Sequence, residues 1–149
     1  MEIEFYDLGE IDDAKLEFAV INVTYQDKLV LVKHKDRDTW EIPGGHREEG
    51  ESINTTAARE LFEETGAKKF DIKPISEYSV AKGQSTTYGR LYVGVILEMG
   101  QLPGLEITEV KLFDKLPQNL TYPNIQPHLH NRVYKNDKFN MHKTITVVE

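Results

Sequence analysis

From Ser52 to Gly66 the chain carries the local signals of one short helix, and that helix constrains where everything else can go. Ser52 offers a side-chain oxygen to the free amide donors of a first turn. Ile53, Ala57 and Leu61 follow at i, i+4 and i+8, an apolar stripe at helical period. Gly66 stands where a glycine ends a helix. The spacing therefore predicts a helix over Ile53–Thr65 with one buried face. Its C-terminal half carries Arg59, Glu60, Glu63 and Glu64. Glu60 is three residues from Glu63 and four from Glu64, so the three acids share a face, with Cβ atoms about 5–6 Å apart.

That face is unfavourable for the helix itself. Like charges at these spacings repel by roughly 0.2–0.5 kcal/mol, and acids near a C-terminus oppose the helix dipole. Two readings stand beside each other: a solvated acidic face, common in acidic proteins, or a cation site. The turn Pro43-Gly44-Gly45 ahead of the helix favours the second. Glycines leave backbone carbonyls and N–H groups accessible. Carbonyl and carboxylate oxygens together suit a hard cation such as Mg²⁺ or Mn²⁺.

The rest of the chain reads mainly as strand. Leu16–Tyr25 is rich in β-branched and aromatic residues, Gln26-Asp27-Lys28 is a polar turn, and Leu29 to Val32 is too continuously apolar to be half exposed. Trp40-Glu41-Ile42 is a short extended piece. Pro43-Gly44-Gly45 is expected to break regular structure, with polar loop from His46 to Glu51. Further strands are expected over 70–80 (weakened by Pro74), 87–98, 106–113 and 144–148. Ile125, Leu129 and Val133 predict a second helix over 123–134. The simplest architecture is one α/β domain over residues 1–149, a mixed sheet between helices.

The 149 residues suffice for one sizeable core. The formal charge of −7 argues against strong nucleic-acid binding, which depends on basic surface. Many of the acids fall between Glu48 and Glu64, and metal ions would reconcile them with a polyanionic substrate. The absence of cysteine excludes disulfides, thiolate metal sites and a cysteine nucleophile. No apolar run is long enough to span a bilayer. The acidic start Met1-Glu2-Ile3-Glu4 argues against a secretory signal. A cytoplasmic location and no membrane partner are the expectations.

The segment Gly45 to Ala67 resembles the Nudix box: Gly, five residues, Glu, seven residues, then Arg-Glu-aliphatic-any-Glu-Glu-any-Gly-aliphatic. Gly45, Glu51, Arg59, Glu60, Leu61, Glu63, Glu64 and Gly66 occupy the fixed positions. Ala67 departs from the preferred Ile, Leu or Val, at a packing position. So long a motif is highly specific. The lead-in Trp40-Glu41-Ile42-Pro43-Gly44-Gly45 and the segment 106–113 also resemble the family.

The resemblance implies a Nudix-type α/β/α sandwich with a loop–helix–loop catalytic motif. It implies Mg²⁺- or Mn²⁺-dependent hydrolysis of a phosphoanhydride in a nucleoside diphosphate linked to another group. Glu60 would orient or deprotonate water, or bind metal. Glu63 and Glu64 would be ligands, with the Gly44 carbonyl completing the shell. Arg59 and Glu51 would bridge helix and loop, and Glu106 or Glu109 would be an additional acid. For substrate contacts, Trp40 and Tyr88 are candidates to stack on a base, although aromatics beside strands more often pack. His46, Lys33 and Arg90 are candidates to meet phosphate, although solvated charges are commoner. His34 and His142 carry no signal. A nucleoside triphosphate, intact or oxidised, is the first expected substrate. Nucleotide sugars, ADP-ribose, dinucleoside polyphosphates and RNA 5′ ends are alternatives, as is a silent nucleotide-binding regulatory module. Family members are often homodimers.

Overall fold

The computed structural model describes residues 1–104 and 106–134, together with the backbone of 143–146. In chain order the elements are β1 (Glu2–Tyr6), β2 (Leu16–Tyr25), β3 (Lys28–His34), β4 (Gly44–His46), α1 (Ile53–Thr65), β5 (Ala67–Lys82), β6 (Ser85–Met99), β7 (Ile107–Phe113), α2 (Gln126–Tyr134) and β8 (Lys143–Thr146). A single 3₁₀ turn at Asp13–Lys15 lies between β1 and β2. The strands form one mixed sheet in the order β7-β3-β2-β6-β5-β1-β8, with the short β4 also paired to β2. The β2–β6 pair is parallel; the other ladders are antiparallel.

Each face of the sheet has its own core and its own helix. On one face Ile53, Ala57 and Leu61 of α1 pack with Ala19, Ile21, Val23, Val30, Tyr92 and Ile96. On the other, Leu129 of α2 packs with Val20, Leu31, Ile42, Tyr78, Leu91 and Trp40. Val30, Leu31 and Val32 are all buried, as expected for a strand covered on both sides. Gln26 and Asp27 both take positive φ in the turn before β3. No helix among the described residues is long and apolar enough to cross a membrane.

The predicted ends of α1 hold. The Ser52 hydroxyl accepts the Thr55 N–H at 3.1 Å, and Gly66 closes α1 in the left-handed region at φ 78°. Several other elements differ from the sequence expectation. The Pro43-Gly44-Gly45 segment does not leave the sheet: Gly44–His46 is a strand against Val20, Ala19 and Phe18. It can pair so closely because a Cβ on Gly44 would run into the Ala19 carbonyl. Pro74 does not end β5 but falls at a register shift against β6, where an irregular ladder tolerates a missing donor. The second helix starts at Gln126, later than expected, with Pro127 in its first turn, where a missing N–H costs nothing. β1 was not anticipated; its Ile3 and Phe5 alternate into the core. His142 and the end of the 144–148 run lie outside the described residues.

Candidate active site

α1 and β4 place the box carboxylates beside the double glycine. Burial and like charge make this an energetically loaded position. Glu64 is 7% exposed; its Oε1 accepts the Gly44 N–H at 2.9 Å. Its Oε2 lies 3.0 Å from His34 Nε2. Glu60 packs against Gly45, where a Cβ would overlap its carboxyl group. Burial first, and then the neighbouring Glu64 charge, push the Glu60 carboxyl up to about 7. Glu63 is more open, its side chain 49% exposed.

Arg59 organises the cluster. Its Nε donates to Glu51 Oε2 at 2.6 Å and its Nη2 to Glu51 Oε1 at 3.0 Å. Nη2 also donates to the His46 carbonyl at 3.0 Å. Nη1 reaches Glu60 at 2.9 Å and Glu63 at 3.2 Å. The planar guanidinium thus ties the box loop to the helix and partly offsets the acids. The Arg59 guanidinium, followed by the Thr56 hydroxyl, holds the Glu51 carboxyl well below its usual range, at about 2.

The donor chemistry suits a hard divalent cation: Glu60 and Glu64 offer carboxylate oxygens and repel each other, a repulsion that a cation would relieve. Among the described residues, no three acidic or histidine side chains already stand as a closed cage. It is the Gly44 N–H, not its carbonyl, that contacts Glu64.

A cleft of about 420 Å³ opens from this cluster onto the α2 face of the sheet. Gly44, Gly45, His46, His34 and Glu41 form its box end, and Phe18, Tyr78 and Tyr122 give it aromatic walls. The His46 ring meets Phe18 edge-on at 4.4 Å.

Several sequence candidates are placed elsewhere. Trp40 is a core residue, 8% exposed and edge-on to Phe113 at 5.1 Å, so its bulk goes into packing rather than base stacking. Tyr88 and Arg90 alternate with Thr87 and Gly89 along β6, and the pleat turns them to the α1 face, away from the cleft. Arg90 donates to buried Glu77 at 2.7 and 3.1 Å and is not offered to phosphate. Glu109 is 3.7 Å from Lys33 across β3–β7. Glu106 lends its carbonyl to the Lys35 N–H at 2.7 Å. Among the described residues no hydrogen bond or ion pair joins either side chain to the box.

The acid outside the box that approaches it is Glu41, 3.5 Å from the same His34 nitrogen that meets Glu64. The hydrogen bond to Glu64 raises the His34 pKa, against a smaller opposing effect of burial. His34 carries no sequence signal and Glu41 reads only as part of the lead-in, because β3, the antiparallel bridge between Val32 and Glu41, and α1 bring them together only in the folded chain.

The NUDIX domain model matches residues 15–114, and the chain belongs to the Nudix family. The chain is 34% identical over 95 residues to "Putative 8-oxo-dGTP diphosphatase YtkD" of Bacillus subtilis, 63% of this chain and 60% of that protein. It is 31% identical over 109 residues to an ADP-ribose pyrophosphatase of Bacillus subtilis, 66% of this chain and 59% of that protein. Both alignments thus span about three fifths of the relative's length. Among solved structures, a mutant form of the Bacillus subtilis pyrophosphohydrolase BsRppH superposes with a TM-score of 0.76 over 91% of both chains, at 22% identity. That likeness establishes the α/β Nudix fold.

The contact between Gly45 and Glu60 gives a direct test of the cluster's geometry. Gly45→Ala is expected to displace the Glu60 carboxyl and to lower turnover about 10²-fold, with helix content by circular dichroism unchanged. Full turnover in that variant would mean that turnover does not depend on this placement of the Glu60 carboxyl.

Proposed function

We propose that this chain is a divalent-metal-dependent pyrophosphohydrolase that cleaves a phosphoanhydride bond in a nucleoside triphosphate. The observation that carries this reading is the Glu60 carboxyl. It is withdrawn from water, crowded by Glu64, braced by Arg59, and packed against Gly45, which lines an aromatic cleft large enough for a nucleobase. An ordinary solvated acidic face would have none of these features.

Glu64, Glu63 and Glu60, with the Gly44 backbone, would hold Mg²⁺ or Mn²⁺. When bound, the cation supplies charge neutralisation for the phosphates and acidifies water. Glu60 titrates at about 7 in the metal-free protein; beside the cation its carboxyl would be ionised, and so able to take a proton from the attacking water. Arg59 fixes the direction in which Glu60 faces, and Glu51 fixes Arg59. The cleft holds the base and so sets the distance from nucleoside to scissile phosphate. Such a reaction depends on placement and electrostatics, and no Ser, Thr or His nucleophile is needed. The relative described as an 8-oxo-dGTP diphosphatase favours a triphosphate, intact or oxidised. The ADP-ribose pyrophosphatase makes ADP-ribose the main competitor.

The test is a product assay with Mg²⁺ or Mn²⁺ on nucleoside triphosphates, 8-oxo-dGTP, ADP-ribose and a nucleotide sugar. Pyrophosphate and nucleoside monophosphate are expected from the triphosphates, with activity lost in chelator and in Glu64→Gln. Cleavage of ADP-ribose alone would replace the substrate. Metal-dependent binding of nucleotide without turnover would make the chain a nucleotide-sensing module.

A further inference from the structure

The cleft wall next to the box contains one amide whose orientation is fixed by the fold. Gln126 begins α2, is 7% exposed and lines the cleft. Its Oε1 accepts the backbone N–H of Ile42 at 2.9 Å. A glutamine amide can in general be turned either way. Here the buried main-chain donor decides: the oxygen must face Ile42, and the NH₂ must face away from it. Among the described residues Nε2 has no hydrogen-bond partner, yet no buried side-chain nitrogen or oxygen lacks one. The NH₂ is therefore accessible, and Gln126 is one of the residues that line the cleft.

The surroundings give this donor its discriminating power. Tyr78 lies flat along the sheet because Gly89 has no side chain; a Cβ there would stand 2.6 Å from the Tyr78 hydroxyl. Phe18 and Tyr122 supply further aromatic surface, and Arg37 covers Tyr122 at 5.9 Å. The hydroxyls of Tyr78 and Thr87 can donate or accept, so they select nothing. The Glu41 oxygens lie 3.5 Å from His34 and 3.4 Å from Arg37. Gln126 alone among these neutral lining groups is fixed as a donor.

We propose that Gln126 selects the base: the cleft takes 6-oxopurines, guanine or hypoxanthine, whose ring carbonyl accepts from Nε2, ahead of adenine. The 6-amino group of adenine would set donor against donor at that position. This rests on the nucleotide reading above and adds the base class to it.

Gln126→Glu is the informative variant. One carboxylate oxygen still accepts from Ile42, while the other replaces the donor in the cleft with an acceptor. Assays would be run above about pH 8, where a carboxylate is ionised. They would compare kcat/KM for ITP and ATP, which differ at the 6-position edge. Wild type is expected to favour ITP by about tenfold or more, and the variant to bring that ratio to one or below with its melting temperature maintained. A wild-type ratio near one overturns the proposal, as does an unchanged ratio in a folded variant. If the variant does not fold, the wild-type ratio decides alone. If wild type hydrolyses neither, calorimetric binding of IMP and AMP separates the two ideas. Tighter IMP binding retains the base-reading role and removes the hydrolytic one; equal or absent binding removes the base-reading role as well.

Discussion

Glu60→Gln is expected to lower turnover by about 10²–10⁴-fold and, at the same time, to stabilise the metal-free protein at alkaline pH. Both effects have one origin. Burial and the Glu64 charge oppose ionisation of Glu60, and Arg59 offsets only part of this, leaving the group titrating at about 7. An ordinary glutamate titrates near 4.5. Between those values the folded protein holds a proton that the unfolded chain has released. The stability associated with that proton is therefore fully present below the lower value. It is lost as pH rises through about 7. Glutamine never ionises and escapes the loss. The melting temperature of the variant should rise relative to wild type as pH increases from about 4.5 to 7 and stay above it thereafter, by an amount equivalent to about 1–3 kcal/mol. Added Mg²⁺ should then stabilise wild type more than the variant, because it relieves a repulsion the variant lacks. A variant with near-normal turnover would remove Glu60 from the chemistry. A difference in melting temperature that shrinks with rising pH would mean that the carboxyl is not under this strain.

Local signals in the sequence located the helix and its acids, because capping, stripe and stop are all short-range. Ser52, Ile53, Ala57, Leu61 and Gly66 perform in the structure the tasks their spacing assigns to them. What the sequence left open depends on which parts of the chain meet. Period-two alternation along β6 separates Tyr88 and Arg90 from Thr87 and Gly89, but it does not say which set faces the cleft; packing of α1 on one face and α2 on the other decides that. The aromatics that line the cleft are Phe18, Tyr78 and Tyr122, from three separate segments, while Trp40, the largest aromatic, is packed into the core. β4 was hidden because two glycines suggest a break, whereas here their missing side chains allow a close strand pairing. β1 had a legible signal in the alternation of Ile3 and Phe5, too short to stand out alone. His34, Glu41 and Gln126 could not be singled out, since each acquires its role from a partner distant in sequence: Glu64 for His34, and Ile42 for Gln126.

The reassignment of Arg90 leads to the largest expected change in stability. Glu77 is fully buried, and its Oε2 takes two hydrogen bonds from Arg90, at 2.7 and 3.1 Å. Its Oε1 accepts the Ile11 N–H at 3.1 Å, which ties the segment before β2 to the sheet. Arg90 also donates from Nη1 to the side-chain Oδ1 of Asn54, in the first turn of α1, at 3.4 Å. Arg90→Met would leave a carboxylate with no exposed surface facing a single backbone donor, and the expected cost is about 3–5 kcal/mol. Pairing it with Glu77→Leu should recover most of that loss, because removing both charges also removes the desolvation penalty, leaving only the unpaired Ile11 N–H. Denaturant unfolding of the two single variants and the double would measure the coupling. Kinetics distinguishes this structural role from a phosphate contact. Under conditions where Arg90→Met remains folded, the KM for a nucleotide should be close to that of wild type, since the guanidinium faces the α1 side of the sheet and the cleft opens on the other. A loss of less than about 1 kcal/mol together with a large rise in KM would return Arg90 to the substrate.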